Sequence, residues 1–465
     1  MTSNRTKKKP YRLNEMVDIL RDDITIRGLY APGEFLPSEL ALVKRFGMSN
    51  KTVRKGLQTL TEEGLIEKIP RVGSIVSKTA KRPATRLLLG SMHSLERDMK
   101  MSLLLERFGQ LHPDIRVEVV LFSSDDYAGA VDTYLRAGLV DALMINDQLF
   151  WEIEGALGEP HLEPMPDSDD AYSFLRDSFA SGGTQFARPI LFSPVVLAYN
   201  KDHFREAGVP EPDGSWTWDD AIAQASKLSV PGERYGLCFY PLSDNRWPVF
   251  PLQSGVRLEA DSGEGGGPAA RKLLDSFRLY KSIVRNRDVF PDYMAESSRD
   301  FAKLFRDGRA SMILSTYMSL NDFASVGPDF DISAVPYRGE PRTLLTTIGI
   351  AVNRYSNKKA AAMRLVDFMS SEIAQRLIRE RTLSIPAMKR VADAPVENDA
   401  LPRRPSRFHL YRNIVPGYRR HRDMGLAPES FYRFRELLKR YAADLIDEER
   451  LIERIGGNAA AGRLL

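Results

Sequence analysis

The chain reads as a multidomain protein, a small α+β head followed by a larger α/β body. Three observations predict this. Two short helical patterns and a hairpin pattern crowd into residues 11–76, a polar stretch broken by Pro83 follows at 77–85, and from Arg86 onward strand and helix patterns alternate.

The head begins with a helix over Tyr11–Arg27, whose Leu13, Met16, Val17, Leu20 and Ile24 share one face. Ala31-Pro32-Gly33 ends that unit. Two helices are then expected over Ser38–Phe46 and Ser49–Gly64, with Gly47 as the turn and Ser49 as N-cap of the second. In the second, Val53, Leu57 and Leu60 make the packing face, while Asn50, Lys51, Thr52, Arg54 and Lys55 lie opposite. Leu65–Ile69, a Pro-Arg-Val-Gly turn and Ser74–Val76 complete a β-hairpin, so the segment is a winged helix-turn-helix. Asn and Arg at the start of a second helix can bond base edges, and Lys and Thr suit phosphates. A solvated helix face is the competing reading of the charges alone. The expected DNA contacts are Ser38, Ser49, Asn50, Lys51, Thr52, Arg54, Lys55, Arg71 at the wing tip and Gly73 beside it.

This segment resembles the DNA-binding domain of the GntR family of bacterial transcription regulators. The likeness rests on Gly28, Pro32-Gly33, Leu36-Pro37-Ser38-Glu39, Phe46-Gly47-Met48-Ser49, Thr52-Val53-Arg54, Glu63-Gly64-Leu65-Ile66 and Gly73-Ser74-Ile75-Val76. Leu40 and Asn50 stand where many members have arginine, and Arg71 where a wing glycine is usual. The resemblance therefore implies the fold and not the operator sequence.

Charge divides along the same line. Residues 1–82 hold 17 Lys+Arg against 9 Asp+Glu, net +8, whereas the whole chain of 465 residues is +4, leaving the rest at −4. Polyanion contact belongs to the head. A hydrophobic content of 43% and a charged content of 28% are ordinary for a globular protein. The single cysteine, Cys238, excludes an internal disulfide, and no Cys/His cluster has metal-ligand spacing. The basic arm at residues 1–10 has no apolar core of a signal peptide, and no apolar run suits a bilayer, so a cytoplasmic protein is expected.

In the body, strands at Leu87–Leu89, Arg116–Phe122 and Ala142–Ile145 alternate with helices at Leu95–Leu111 and Tyr127–Ala137. That order implies βαβ units and a mostly parallel sheet, with ligands beyond the carboxyl ends of the strands. Residues 86–392 resemble the type II solute-binding proteins that serve sugar ABC transporters. The likeness is carried by Gly138-Leu139-Val140-Asp141, Arg188-Pro189, Val196 to Lys201, Phe204 to Gly208, Ser215-Trp216-Thr217-Trp218-Asp219-Asp220, Phe305 to Met312 and Ile385-Pro386-Ala387. It implies a two-lobed periplasmic-binding-protein-like fold with a cleft ligand, one lobe near 86–192 plus 338–392 and the other near 194–335. Residues 393–465 form a C-terminal extension, in which Phe431, Phe434, Leu438, Tyr441, Leu445 and Ile446 predict an amphipathic helix covering a lobe. The basic run Arg403–Arg422 reads as a solvated loop.

A carbohydrate, with an oligosaccharide favoured, would need stacking rings and polar groups at the cleft edge. His93, Asp147, Trp151, Phe192, Trp247, Tyr317 and Thr347 are the candidates. Core packing competes for each ring, above all for Trp216 and Trp218. These readings combine into a ligand-responsive regulator, not an enzyme, that binds an operator as a homodimer.

Two alternatives compete with this reading. Ser226 to Gly236 has the SKxxxPGxRxG spacing found around the Schiff-base lysine of aminotransferase-like regulators, which would make Lys227 a pyridoxal-phosphate site. Lys227 ends a helical pattern instead of following a strand, however, and no Asp-x-x-Tyr-like partner precedes it. The other alternative is a body that docks a protein partner. Asp261–Gly267 is glycine-rich but lacks a following Lys-Ser/Thr, so it reads as a loop and not a phosphate cradle.

Overall fold

The computed structural model describes residues 13–460 except 26–27, 71, 78–83, 123–126, 158–160, 168–169, 258–267, 293–294, 397–400 and 402. The chain divides into two compact units, one carried by the head and one by the body.

In the head, α1 (Leu13–Thr25), α2 (Glu39–Phe46) and α3 (Asn50–Glu62) precede the hairpin β1 (Ile66–Ile69) and β2 (Gly73–Val76). Ser38 and Ser49 cap α2 and α3, their hydroxyls accepting from the Ala41 and Thr52 N–H groups. Gly47 ends α2 at φ +64°, a left-handed cap that glycine adopts at little steric cost. Met16, Val17, Leu20 and Ile24 share a core with Leu42, Phe46, Val53, Leu57 and Leu60. Gly56 lies where α1 meets α3: a Cβ there would lie 2.1 Å from Met16 Cε and 3.3 Å from Leu13 and Val17 methyl groups, so the Met16 side chain would have to shift. The hairpin pairs Ile66 with Val76 and Ile69 with Gly73.

The body opens with β3 (Thr85–Ser91), α4 (Leu95–Met99), α5 (Met101–Leu111), β4 (Ile115–Leu121), α6 (Tyr127–Arg136), β5 (Ala142–Asn146) and α7 (Asp147–Leu157). The single helix expected over Leu95–Leu111 is two, because Lys100 turns left-handed at φ +55°. Without a glycine there, nothing local announces the break. A short hairpin, β6 (Ala180–Ser181) and β7 (Thr184–Gln185), leads into β8 (Ala187–Asn200). Next come α8 (Lys201–Glu206), α9 (Trp218–Leu228), β9 (Tyr235–Cys238), α10 (Val249–Gln253), α11 (Pro268–Val284), α12 (Ser298–Arg306), β10 (Ala310–Thr316) and β11 (Phe330–Ser333). The return strand β12 (Thr343–Val352) is followed by α13 (Lys359–Met369), α14 (Glu372–Arg381), β13 (Ile385–Pro386) and α15 (Lys389–Asp393). Last are α16 (Leu410–Asn413), β14 (Tyr418–Arg419), α17 (Pro428–Ala442) and α18 (Glu448–Ala460).

The main sheet runs β4-β3-β5-β12-β8-β10-β9. β3 is parallel to β5, and β9 to β10, but the middle departs from the parallel sheet expected. β12 is antiparallel to both β5 and β8, and β8 to β10. The cause is that β8 crosses between lobes in one extended run. Its first half, Ala187 to Pro194, pairs with β12, and its second half, Val195 to Tyr199, pairs with β10. Thirteen of its fourteen residues are buried, which explains an apolar run too continuous to show a period of two.

Within the second lobe, Thr217 caps α9 in a capping box with Asp220, and the Trp218 indole donates to Gln253 Oε1 at 2.9 Å. Trp218 is therefore core. α17 ends at Ala442, so Leu445 and Ile446 fall beyond it. Ile446 is buried, but Leu445 is exposed and does not join the apolar face expected.

Candidate functional site

The head presents its polar residues at one end of α3. Asn50, Lys51, Arg54 and Lys55 are exposed, with Thr52 half-buried beside them. The Ser49 hydroxyl sits 3.1 Å from the Thr52 N–H that it caps and 2.8 Å from the Thr52 hydroxyl. Arg54 Nε donates to Glu39 Oε2 at 2.7 Å, and Lys68 Nζ of the wing is 3.8 Å from the other oxygen. Glu39 thus holds one cation from α3 and one from the wing along a concavity of about 550 Å³, also lined by Ser38, Val72 and Ser74. Gly73 lies at φ +149°, a conformation that L side chains rarely adopt. Arg71 lies outside the described residues. Sequence reading missed Lys68 and the role of Glu39, although an acid opening α2 opposite basic residues of α3 and β1 was a visible signal.

The body gathers five of the seven candidate ligand residues around one stretch of its own chain, 403–441, and Thr347 joins them through Asp147. Tyr317 is fully buried. Its hydroxyl donates to the Phe408 carbonyl at 2.9 Å and accepts from the Tyr411 N–H at 3.1 Å. Trp247 lies 4.8 Å from Phe431 and 6.4 Å from Phe434, centroid to centroid, and its buried indole N–H has no partner among the described residues. Trp151 meets Phe431 edge-on at 6.1 Å, and Phe192 meets Tyr172, Phe174 and Tyr411 edge-on. Asp147 accepts the Thr347 N–H at 2.8 Å, and the Thr347 hydroxyl is 3.1 Å from that of Ser178. Burial raises the Asp147 carboxyl above the usual carboxylate range, opposed by nearby His421, the Thr347 N–H and Arg420. His93 stands apart, exposed after β3.

The Arg403–Arg422 run is not the solvated loop its charges suggest. Phe408, Tyr411, Tyr418 and His421 are buried, and β14 lies parallel beside β12. The arginines are absorbed locally. The guanidinium groups of Arg379 and Arg404 lie over the Phe408 ring at 4.3 and 4.8 Å, and Arg420 donates to the Phe174 carbonyl. Aromatic residues interleaved with the arginines were the available signal of burial.

A second feature of the body concerns charge. Arg246, between β9 and α10, is 4% exposed. Its Nε donates to the Leu314 carbonyl at 2.9 Å and its Nη1 to the Asn245 carbonyl at 3.4 Å, both neutral acceptors. Burial pulls its guanidinium down to about 10, and the charge of Arg97 adds to the depression. Arg246 and Arg97 line a cavity of about 30 Å³ between α4, α12 and β10, together with Ser298, Ser315, Ser319 and Asp322.

Lys227 of the cofactor alternative is exposed near the end of α9 and donates to Gln224 Oε1 at 3.1 Å. The Asp261–Gly267 loop lies outside the described residues. Among the described residues, no group of His, Cys, Asp or Glu could hold a metal ion, and no helix is long and apolar enough to cross a membrane.

Fold and site together define a winged helix-turn-helix head joined to a two-lobed solute-binding body. The chain belongs to the bacterial extracellular solute-binding protein family, whose model matches residues 96–376, and its residues 13–76 match the bacterial regulatory proteins of the gntR family. A putative binding protein of Brucella abortus is 26% identical over 207 residues, 42% of this chain and 49% of that protein. The mannosyl-D-glycerate transport/metabolism system repressor of Escherichia coli is 30% identical over 116 residues, 24% of this chain and 42% of the repressor. The chain spans about half the length, or less, of these curated relatives. An ABC substrate-binding protein of Listeria monocytogenes, solved with cycloalternan, shares the fold of the body. Its TM-score is 0.68 at 20% identity, over 81% of this chain and 98% of that one.

Proposed function

We propose that this protein is a ligand-responsive transcription regulator. The head binds an operator, and the body senses a carbohydrate and modulates that binding. The observation that carries the reading is the joining, in one chain, of a gntR-type head with exposed Asn50, Lys51 and Arg54 to a solute-binding body. Several of the body's relatives in fold were solved with sugars. The protein acts in the cytoplasm as a homodimer, with two heads on half-sites related by a two-fold axis. Ligand changes the arrangement of the lobes and thereby the spacing of the heads. Such coupling requires that the ligand bind the two arrangements with different affinity. The favoured ligand is an oligosaccharide held near Trp151, Phe192, Trp247 and Tyr317, with Asp147 and Thr347 bonding its hydroxyl groups.

The test has two stages. A thermal-shift screen of mono- and oligosaccharides identifies the ligand, since a sugar at 100 times its Kd stabilises by about 2.7 kcal/mol. Operator affinity, on DNA selected from genomic fragments, is then measured with and without that sugar. A tightly bound sugar that leaves operator affinity unchanged would sink the regulatory half. A second reading, a body that docks a protein partner, draws on the burial of the candidate rings beneath residues 403–441. Silence across the sugar panel, with a partner recovered on the body alone, would favour it.

A further inference from the structure

Arg246 poses a problem of charge. An arginine almost removed from water retains its proton, and the cost of burying that charge is met when a carboxylate or another anion faces it. Among the described residues no carboxylate lies within ion-pair distance of Arg246, and its two bonds go to neutral carbonyls. Of the other two arginines that line the cavity, Arg97 and Arg299, Arg97 is already satisfied: its Nε donates to Asp98 at 2.6 Å and its Nη1 to Asp322, the one carboxylate in the lining, at 2.9 Å. Asp244, two residues before Arg246, is held by Arg435 at 2.8 Å. A structural role, tying the 240–248 loop to β10 through the Leu314 carbonyl, needs one donor and no charge.

We propose that Arg246 is the anchor of an anion subsite in the interlobe cleft, which takes a phosphate or carboxylate oxygen of the effector. The inference rests on the carbohydrate reading and narrows it to sugars that carry an acidic group. A cavity of about 30 Å³ has room for about one water-sized group, hence for one anionic oxygen, with the rest of the ligand lying along the cleft. Ser298, Ser315 and Ser319 supply hydroxyls around the cavity. By the lobe bounds that the solute-binding resemblance implies, α4 falls in one lobe and α12 and β10 in the other, so an oxygen held among them would bridge the two. Charge-assisted bonds are about twice as strong as neutral ones, so the acidic group would decide which sugars are accepted.

The test uses the full chain. Affinities are measured by calorimetry and thermal shift for paired probes: glucose, galactose and mannose, each as the neutral sugar, the 6-phosphate and the uronic acid, with inorganic phosphate as the bare anion. At least one acidic form should bind ten-fold or more tighter than its neutral parent, with the preference weakening in high salt. The phosphate and uronate arms separate the two sources of anion. Arg246→Met should abolish that preference while melting, without ligand, at or above the parent protein, since it removes a buried charge. If the Met variant fails to fold, Arg246→Lys takes its place, and it should weaken the acidic form at least three-fold and leave the neutral sugar unchanged. Neutral sugars binding as tightly as acidic ones, or an acidic preference that survives Arg246→Met, overturns the subsite and leaves the carbohydrate reading standing. No response to any of these probes or to the oligosaccharides of the thermal-shift screen overturns the carbohydrate reading and the subsite with it.

Discussion

The head and the body display their candidate functional residues in opposite ways. In the head, Arg54 is 62% exposed at its side chain and bears on its surroundings through one ion pair with Glu39. In the body, Tyr317 and Trp247 are fully buried and bonded to or stacked on a segment from more than ninety positions further along. A reading surface for a long polyanion must face solvent before the partner arrives. A cleft that closes on a small solute can keep its rings packed until the lobes part. The contrast predicts that substitutions in the head change binding with little effect on stability, and that substitutions in the body change stability first.

The sharpest way to break that contrast is Phe431→Ala. Phe431 is fully buried between Trp151 and Trp247, so truncation should destabilise the body by about 3–5 kcal/mol. In a thermal melt the body transition should fall sharply while the head transition stays. A body that melts unchanged would mean that residues 403–441 merely lie on it. Tyr317→Phe keeps the ring and strands the Phe408 carbonyl and Tyr411 N–H, for a loss of about 1–3 kcal/mol, read as a lower denaturant midpoint at unchanged slope. Arg54→Ala should reduce operator affinity by about 1–3 kcal/mol if the side chain reads a base, with melting unchanged. If affinity for all DNA falls equally, Arg54 is a phosphate contact.

The gentlest effect is a pH gradient confined to the body. Burial, then the charge of Arg234, pulls the His203 imidazole from 6.5 down to about 4, while its Nδ1 lies 3.0 Å from the Ser311 hydroxyl. Between those values the unfolded chain binds the proton and the folded one does not. Stability is therefore fully present above about pH 6.5 and declines as pH falls toward about 4. His203→Gln should flatten that part of the body's melting profile and leave the head's alone. Equal slopes in the two proteins would remove His203 as the source.

What could be read from sequence follows the same division. The caps at Ser38 and Ser49, the turn at Gly47 and the Val53, Leu57, Leu60 face are all local, set by residues three or four apart, and so were legible. Trp218 was legible as core for the same reason, because its motif opens a helix, and the structure adds the capping box at Thr217. Tyr317 and Trp247 were found as rings near strand ends, but their surroundings were not, because Phe408, Tyr411 and Phe431 come from far along the chain. Arg246 was missed outright. A lone arginine in a loop looks solvated until three-dimensional packing removes the water, and the only nearby sign, its neighbour Trp247, pointed to sugar stacking instead. Arg403–Arg422 failed for the converse reason: a high density of charge reads as exposure even where long side chains lie flat over rings.

The pairing of β14 with β12, and of Phe431 with Trp151 and Trp247, also orders events during synthesis. Ribosomes add about 5–20 residues each second, so roughly 20–70 s separate completion of the wing at Val76 from the emergence of α17. Over that interval the head, which has its own core, is folded and the body lacks the chain that finishes its interior. Each newly made molecule therefore passes through a stage in which its reading surface exists and its sensor does not. On the proposed function, translation rate would then bear on operator occupancy alongside the effector, because a nascent chain carries its reading surface before its sensor is complete.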